Sequence, residues 1–164
     1  MRPLPAPLLA PLLALLLALP APAAAQPTEL VLPFSPACIS SAFGARENAG
    51  PRASRFHRGI DLPAPAGTWV RAMAPGRITA IRRIGATGLA VDVTHADGSI
   101  FRYAHLGQVA PALANGKRQV AQGEALGRVG RSGITYGTHL HLELVVNGER
   151  IDAAPLLGLE RCAR

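Results

Sequence analysis

The chain holds 164 residues, 49% of them hydrophobic and only 4% aromatic, with 17 Lys and Arg against 10 Asp and Glu for a formal charge of +7. That length suits a single domain with a real core, and the basic balance suits an anionic polymer or surface as partner, although plain solvated charge gives the same balance. Scarce aromatics, together with the export signal described next, argue against nucleic acid, since single strands are bound largely by base stacking.

The first element in chain order reads as a targeting segment. Arg2 precedes an apolar run from Leu8 to Leu19, broken by Pro11, and Ala23-Ala24-Ala25 offers small residues before Gln26. The pattern predicts a cleaved secretory signal over residues 1–25 and a folded domain over 26–164. The run is short of the roughly 20 residues that a membrane span needs, so no stable membrane anchor is expected. Losing Arg2 with the signal lowers the charge from +7 to +6.

Residues 26–36 lead into the domain. Residues 42–56, rich in Gly, Pro and Arg and without alternation, predict a loop that runs straight into His57. From Thr68 onward short β-runs are punctuated by turn residues. Thr68–Met73 alternates, Pro75-Gly76 turns, and Arg77–Ile84 makes a strand. Leu89–His95 and Ser99–Leu106 predict a hairpin around Ala96-Asp97-Gly98. Residues 107–119 form a less regular connection with a helical turn at Pro111–Ala114. Short strands at Val120, Leu126 and Val129 follow, and Thr138–Val146 is the clearest strand, ending at Asn147-Gly148. Period-2 patterning with many glycine turns predicts an antiparallel all-β domain.

Two cysteines, Cys38 and Cys162, stand near the two ends of the domain. Neither has a Cys or His neighbour at metal-site spacing. In an exported protein they can form a disulfide; two separate thiols are the alternative.

The chemistry-bearing residues are histidines. His139 and His141 lie two apart in a predicted strand and so share a face. His57 and Asp61 bracket Arg58-Gly59-Ile60, an offset that also brings two side chains to one side. Three such ligands plus one open position make the recipe of a catalytic zinc site. Taken singly, each feature has a plainer explanation: a surface ion pair for His57 and Asp61, a buried structural imidazole for His141, a core histidine for His105. Strand parity also puts Tyr103 on the face of His105. His95 reads as structural and Trp69 as core packing. Glu143 shares parity with His139 and His141; a solvent-facing carboxylate is expected, with a partner that fixes an imidazole tautomer as the alternative.

Taken together, the pattern resembles the lysostaphin-type, or LytM-domain, zinc metalloendopeptidases that cut peptidoglycan. The matching text is Phe56-His57-Arg58-Gly59-Ile60-Asp61-Leu62, Gly67-Thr68-Trp69-Val70, Ala74-Pro75-Gly76, Arg102-Tyr103-Ala104-His105-Leu106, Gly127-Arg128-Val129-Gly130 and Gly137-Thr138-His139-Leu140-His141. The resemblance runs from about Ile39 to Val146. It implies His57, Asp61 and His141 as ligands of one zinc ion, and His105 and His139 as catalytic histidines. His139 is the expected proton shuttle and His105 the orienter or oxyanion stabiliser. Peptidoglycan is the implied partner; the export signal favours the periplasm as the setting, with secretion as the alternative. Some family members carry a tyrosine in the loop before the first ligand; residues 44–56 hold none. Two other readings stand beside the endopeptidase: a metal-free activator of wall amidases on the same fold, and a metallocarboxypeptidase that trims D-alanine ends.

Overall fold

The computed structural model describes residues 29–163 except 48, so the expected signal segment lies outside the described residues. No helix among the described residues is long and apolar enough to cross a membrane.

Among the described residues, nine strands join one antiparallel sheet, and two single helical turns complete the architecture. The residues read as a loop hold a two-stranded hairpin, β1 (Gly44–Ala45) with β2 (Phe56–His57), which presents His57 from a short paired segment. Composition hid it because each strand is only two residues long, too short for alternation to register. A tight turn at Arg58-Gly59 leads into β3 (Ile60–Pro63). The turn lies against the backbone of the later strand that carries the paired histidines. A Cβ at Gly59 would stand 2.3 Å from the Leu142 carbonyl oxygen, so only glycine permits that approach.

The alternating run after Thr68 yields β4 (Trp69–Arg71), shorter than expected. It is followed by β5 (Gly76–Ile84), β6 (Gly88–Thr94) and β7 (Ile100–Val109). The β6–β7 hairpin turns where expected: Gly98 adopts a positive φ of 83°, and the Asp97 carboxylate accepts the Ser99 backbone N–H at 2.9 Å. The helical turn α1 covers Pro111–Ala114, as the sequence predicts, and buries Leu113. Then come β8 (Gln119–Val120), β9 (Ala125–Val129), β10 (His139–Val146), β11 (Glu149–Ile151) and a last turn α2 (Ala154–Leu157).

β10 organises the molecule. One of its edges pairs with β7, the other first with β3 and then with β11. Its alternation separates two environments. Leu140, Leu142 and Leu144 enter a core shared with Val91, Val93, Phe101 and Tyr103. His139, His141 and Glu143 face the other side. Asp61 on β3 lies directly opposite His141 on β10, so strand register alone brings those two side chains together.

Two expectations fail for stated reasons. Tyr103 and His105 do not share a face. Between the pairs Leu89↔Leu106 and Val91↔Tyr103, β7 carries one residue more than β6. This bulge rotates His105 out of the core parity held by Phe101 and Tyr103. Tyr103 is fully buried and accepts the Met73 backbone N–H at 3.0 Å, whereas His105 turns to the site face. Glu143 is not solvent-facing: its side chain is buried among charged partners on the site face of the sheet. Trp69 is half-buried against the core, with the Arg128 guanidinium 3.7 Å from its ring centroid. His95 sits away from the site histidines; its Nδ1 contacts the Pro75 carbonyl at 2.8 Å and its ring meets Phe101 edge-on.

Cys38 and Cys162 form a disulfide, 124 residues apart in sequence. It joins the segment before β1 to the segment after α2, and the Cys162 N–H donates to the Ile39 carbonyl beside it at 3.0 Å.

Candidate metal centre

Three donor atoms from three strands converge at the head of β10. His57 Nε2 stands 3.0 Å from His141 Nδ1 and 3.1 Å from Asp61 Oδ1, and His141 Nδ1 stands 2.8 Å from the same carboxylate oxygen. The outward atom of each imidazole already faces an acceptor. His57 Nδ1–H donates to the Ala42 carbonyl at 2.8 Å, and His141 Nε2–H donates to Glu143 Oε1 at 3.3 Å. Neutral imidazole has one N–H and one lone pair. The inward atoms are therefore two nitrogen lone pairs and a carboxylate oxygen.

Three acceptors at 2.8–3.1 Å repel one another unless positive charge lies among them. The remaining Asp61 oxygen, Oδ2, accepts from Arg46 Nη2 at 3.1 Å, which turns Oδ1 inward. Donors around a tetrahedral zinc ion at ~2.0–2.1 Å stand about 3.3 Å apart. The observed triangle is slightly tighter, and its N,N,O chemistry is that of a zinc site with an open position. The residues present thus fit the ion that their spacing predicts.

The electrostatics agree. Burial would raise the Asp61 carboxyl, but its contacts with the His141 and His57 rings outweigh it and hold the group far below the ordinary carboxylate range. Burial likewise opposes charge on His141, yet its contacts with Asp61 and Glu143 raise its pKa.

Two further histidines flank the triangle. His105 Nδ1–H donates to the Ser132 carbonyl at 2.7 Å, leaving a lone pair on Nε2. Burial pushes this ring down to about 4, so it is neutral near pH 7. His139 Nδ1 faces the Gly137 carbonyl at 3.2 Å, and its Nε2 lies 3.5 Å from Asp61 Oδ1. Burial lowers its pKa as well. The rings of His105 and His139 are 4.9 Å apart, edge to face, and His105 is 5.6 Å from His141. All five residues singled out in the sequence therefore meet at one place.

The site opens into a groove of about 960 Å³. Arg46, Arg52, Arg58 and Arg150 line it, giving it a basic wall. Tyr136 stands across it: its hydroxyl accepts the Arg52 backbone N–H at 2.9 Å, and its ring packs so closely on Gly50 that a Cβ there would lie 2.6 Å away. A tyrosine thus reaches the groove from the segment before β10, although residues 44–56 supply none. Sequence reasoning missed Arg46, Ser132 and Tyr136. Their contacts cross from one segment to another, and no local spacing announces them.

A family model described as Peptidase family M23 matches residues 55–153. A "DD-carboxypeptidase/endopeptidase Mpg" of Neisseria meningitidis serogroup B is 44% identical over 114 residues, covering 70% of this chain and 26% of that protein. A "Peptidoglycan DD-endopeptidase ShyA" of Vibrio cholerae is 32% identical over 97 residues, covering 59% of this chain and 22% of that protein. The chain thus spans about a quarter of the length of these curated relatives. A solved structure of a zinc-containing peptidase from Vibrio cholerae superposes with a TM-score of 0.63 at 26% identity, covering 74% of this chain and 38% of that one.

Proposed function

The chain belongs to peptidase family M23, and from that premise we propose that it is an exported zinc metalloendopeptidase that hydrolyses peptide cross-links of peptidoglycan. The observation that carries this reading is the triangle of His57 Nε2, Asp61 Oδ1 and His141 Nδ1, three lone-pair donors with their outward atoms already satisfied. These three residues would hold the zinc, which when bound would supply Lewis acidity to polarise a scissile carbonyl and lower the pKa of water towards ~7.

The flanking imidazoles handle protons. His105, its Nδ1–H committed to Ser132, offers Nε2 as an acceptor and orients the attacking water. A neutral ring of that tautomer has no proton to give an oxyanion, so of the two expected roles for His105 orientation is the one retained. His139, less firmly tied at Nδ1, takes a proton at Nε2 and returns it to the leaving amine. The arginine-lined groove suits an anionic wall polymer. The disulfide supports an oxidising compartment such as the periplasm.

The Neisseria relative's name couples a carboxypeptidase to an endopeptidase, which keeps D-alanine trimming as a second reading. The metal-free activator reading is disfavoured by the meeting of all five expected residues. Digestion of purified sacculi, with product analysis on cross-linked and linear muropeptides, separates the first two. Zinc analysis beside it should give about one ion per chain, and His141→Ala should lose most of it. Full zinc retention in that variant, or no product from any muropeptide, would refute the proposal.

A further inference from the structure

We infer that Glu143 is a positioning residue for His141, clamped by Arg102 and Arg150 so that one of its oxygens is reserved for the imidazole. This rests on the zinc reading above. Glu143 is 3% exposed. A carboxylate withdrawn from water is costly unless it is paired and hydrogen-bonded. Here the pairing is lopsided. Oε2 takes both guanidinium groups, Arg102 Nη1 at 2.8 Å and Arg150 Nε at 2.8 Å. Oε1 is left for His141 Nε2.

Arg102 itself cannot drift. It lies directly opposite Glu143 across β7 and β10 and directly opposite Asp92 across β6 and β7. Its Nε and Nη2 atoms hold the two Asp92 oxygens at 2.8 and 2.9 Å. Arg82 closes the row on the far side of Asp92. Sheet register sets Asp92, Arg102 and Glu143 side by side, and the side chains of Arg82 and Arg150 reach its two ends, giving a row of alternating charge whose branch at Glu143 ends on His141.

The consequence is chemical. A ring that donates Nε2–H to Glu143 keeps its lone pair on Nδ1, the atom beside His57 and Asp61. A ring free to adopt the other tautomer would turn an N–H towards the metal position. Carboxylates that fix a ligating imidazole in this way typically change metal affinity by ~10–100-fold when removed.

The test uses Glu143→Gln in the full chain. The amide loses the charge that both arginines share, and satisfying one partner leaves the other facing an NH₂ donor. Zinc affinity is measured by competition with a chromogenic chelator, and thermal unfolding of the metal-free protein is measured beside it. The expected result is a folded protein with zinc bound ~10–100-fold more weakly. Glu124→Gln, whose carboxylate pairs with Lys117 outside both the row and the groove, should keep the parent's zinc affinity. Unchanged affinity in folded Glu143→Gln overturns the inference, and so does an equal loss in Glu124→Gln.

If Glu143→Gln does not fold, Arg150→Gln reads the same contact from a more exposed partner. It should weaken zinc in the same direction by less, and no change there is equally fatal. Nitrogen-15 spectra of the metal-free imidazoles, taken at a pH where the rings are neutral, keep the zinc reading separate. The parent should show His141 as the Nε2–H tautomer, and the variant a mixture. If the parent binds no zinc, the zinc reading fails by itself, and identical tautomers in parent and variant then dispose of Glu143.

Discussion

His105 faces the site through one left-handed residue. Its φ is +60°, a conformation that costs a non-glycine residue about 1–3 kcal/mol unless its surroundings impose it. Here they do. The His105 N–H donates to the Thr87 carbonyl at 3.1 Å, its own carbonyl accepts the Gly130 N–H at 3.0 Å, and its ring is tied to Ser132. Such strain, held at a predicted catalytic position, fits a residue placed for chemistry rather than packing. His139 and His141 are set apart more simply, by two residues of strand rise, roughly 6–7 Å. One can therefore hold a metal while the other reaches the substrate side. His139→Ala should keep zinc yet lose sacculus hydrolysis by ~10²–10⁴-fold, the usual worth of proton transfer from a placed side chain. His105→Ala should also keep zinc, with a smaller loss if it only orients water. Solubilisation of labelled sacculi, read beside metal content, checks both; loss of zinc from His139→Ala would make that residue a ligand instead.

Elements were legible where alternation is long. β5, β6, β7 and β10 are 7 to 10 residues each, and the sequence marks all four within two or three residues at either end. The same sequence conceals β1, β2 and β11, which are only two or three residues long and are defined by their partners. The site followed that division. His139 and His141 could be placed by parity, and Asp61 by its offset from His57, but the hairpin that presents His57 could not. His105 was misplaced relative to Tyr103 because a bulge is a property of two strands and parity belongs to one. Gly59 shows what the short elements require. Between β2 and β3 its missing side chain lets the turn lie on the Leu142 carbonyl, and a methyl group there meets backbone, which cannot swing aside as a side chain would. Gly59→Ala should destabilise the domain by about 1–3 kcal/mol. It should also weaken zinc, since His57 and Asp61 flank the displaced turn. Chemical denaturation of the metal-free protein and chelator competition on the folded fraction are the two readouts; unchanged stability would mean that the turn can lift off β10 freely.

The whole molecule is closed by a link that composition alone left as one of two readings. β10 is late in the chain, yet its partners β3 and β7 come from the first and middle parts, so the site exists only when distant segments are joined. The two cysteines lie outside that sheet. Ile39, beside Cys38, bridges to Arg161, beside Cys162, and Ser41 bridges to Asp61 in the site itself. Arg46, a few residues further on, holds the outer oxygen of Asp61. The disulfide thus anchors the segment that feeds the first ligands to the end of the chain. Closing a loop whose ends are 124 positions apart removes much of the freedom of the unfolded chain; the chain-entropy relation gives about 4–5 kcal/mol, an upper figure because engineered links often deliver less. Cys38→Ser with Cys162→Ser should lower the denaturation midpoint substantially, with the same change on reducing the parent. The folded fraction of the double variant should still bind zinc, because no donor atom touches either sulfur. A double variant as stable as the oxidised parent would show that the sheet closes the chain unaided, and one that folds but binds no zinc would show that the link also sets the position of the segment around Arg46 and Asp61.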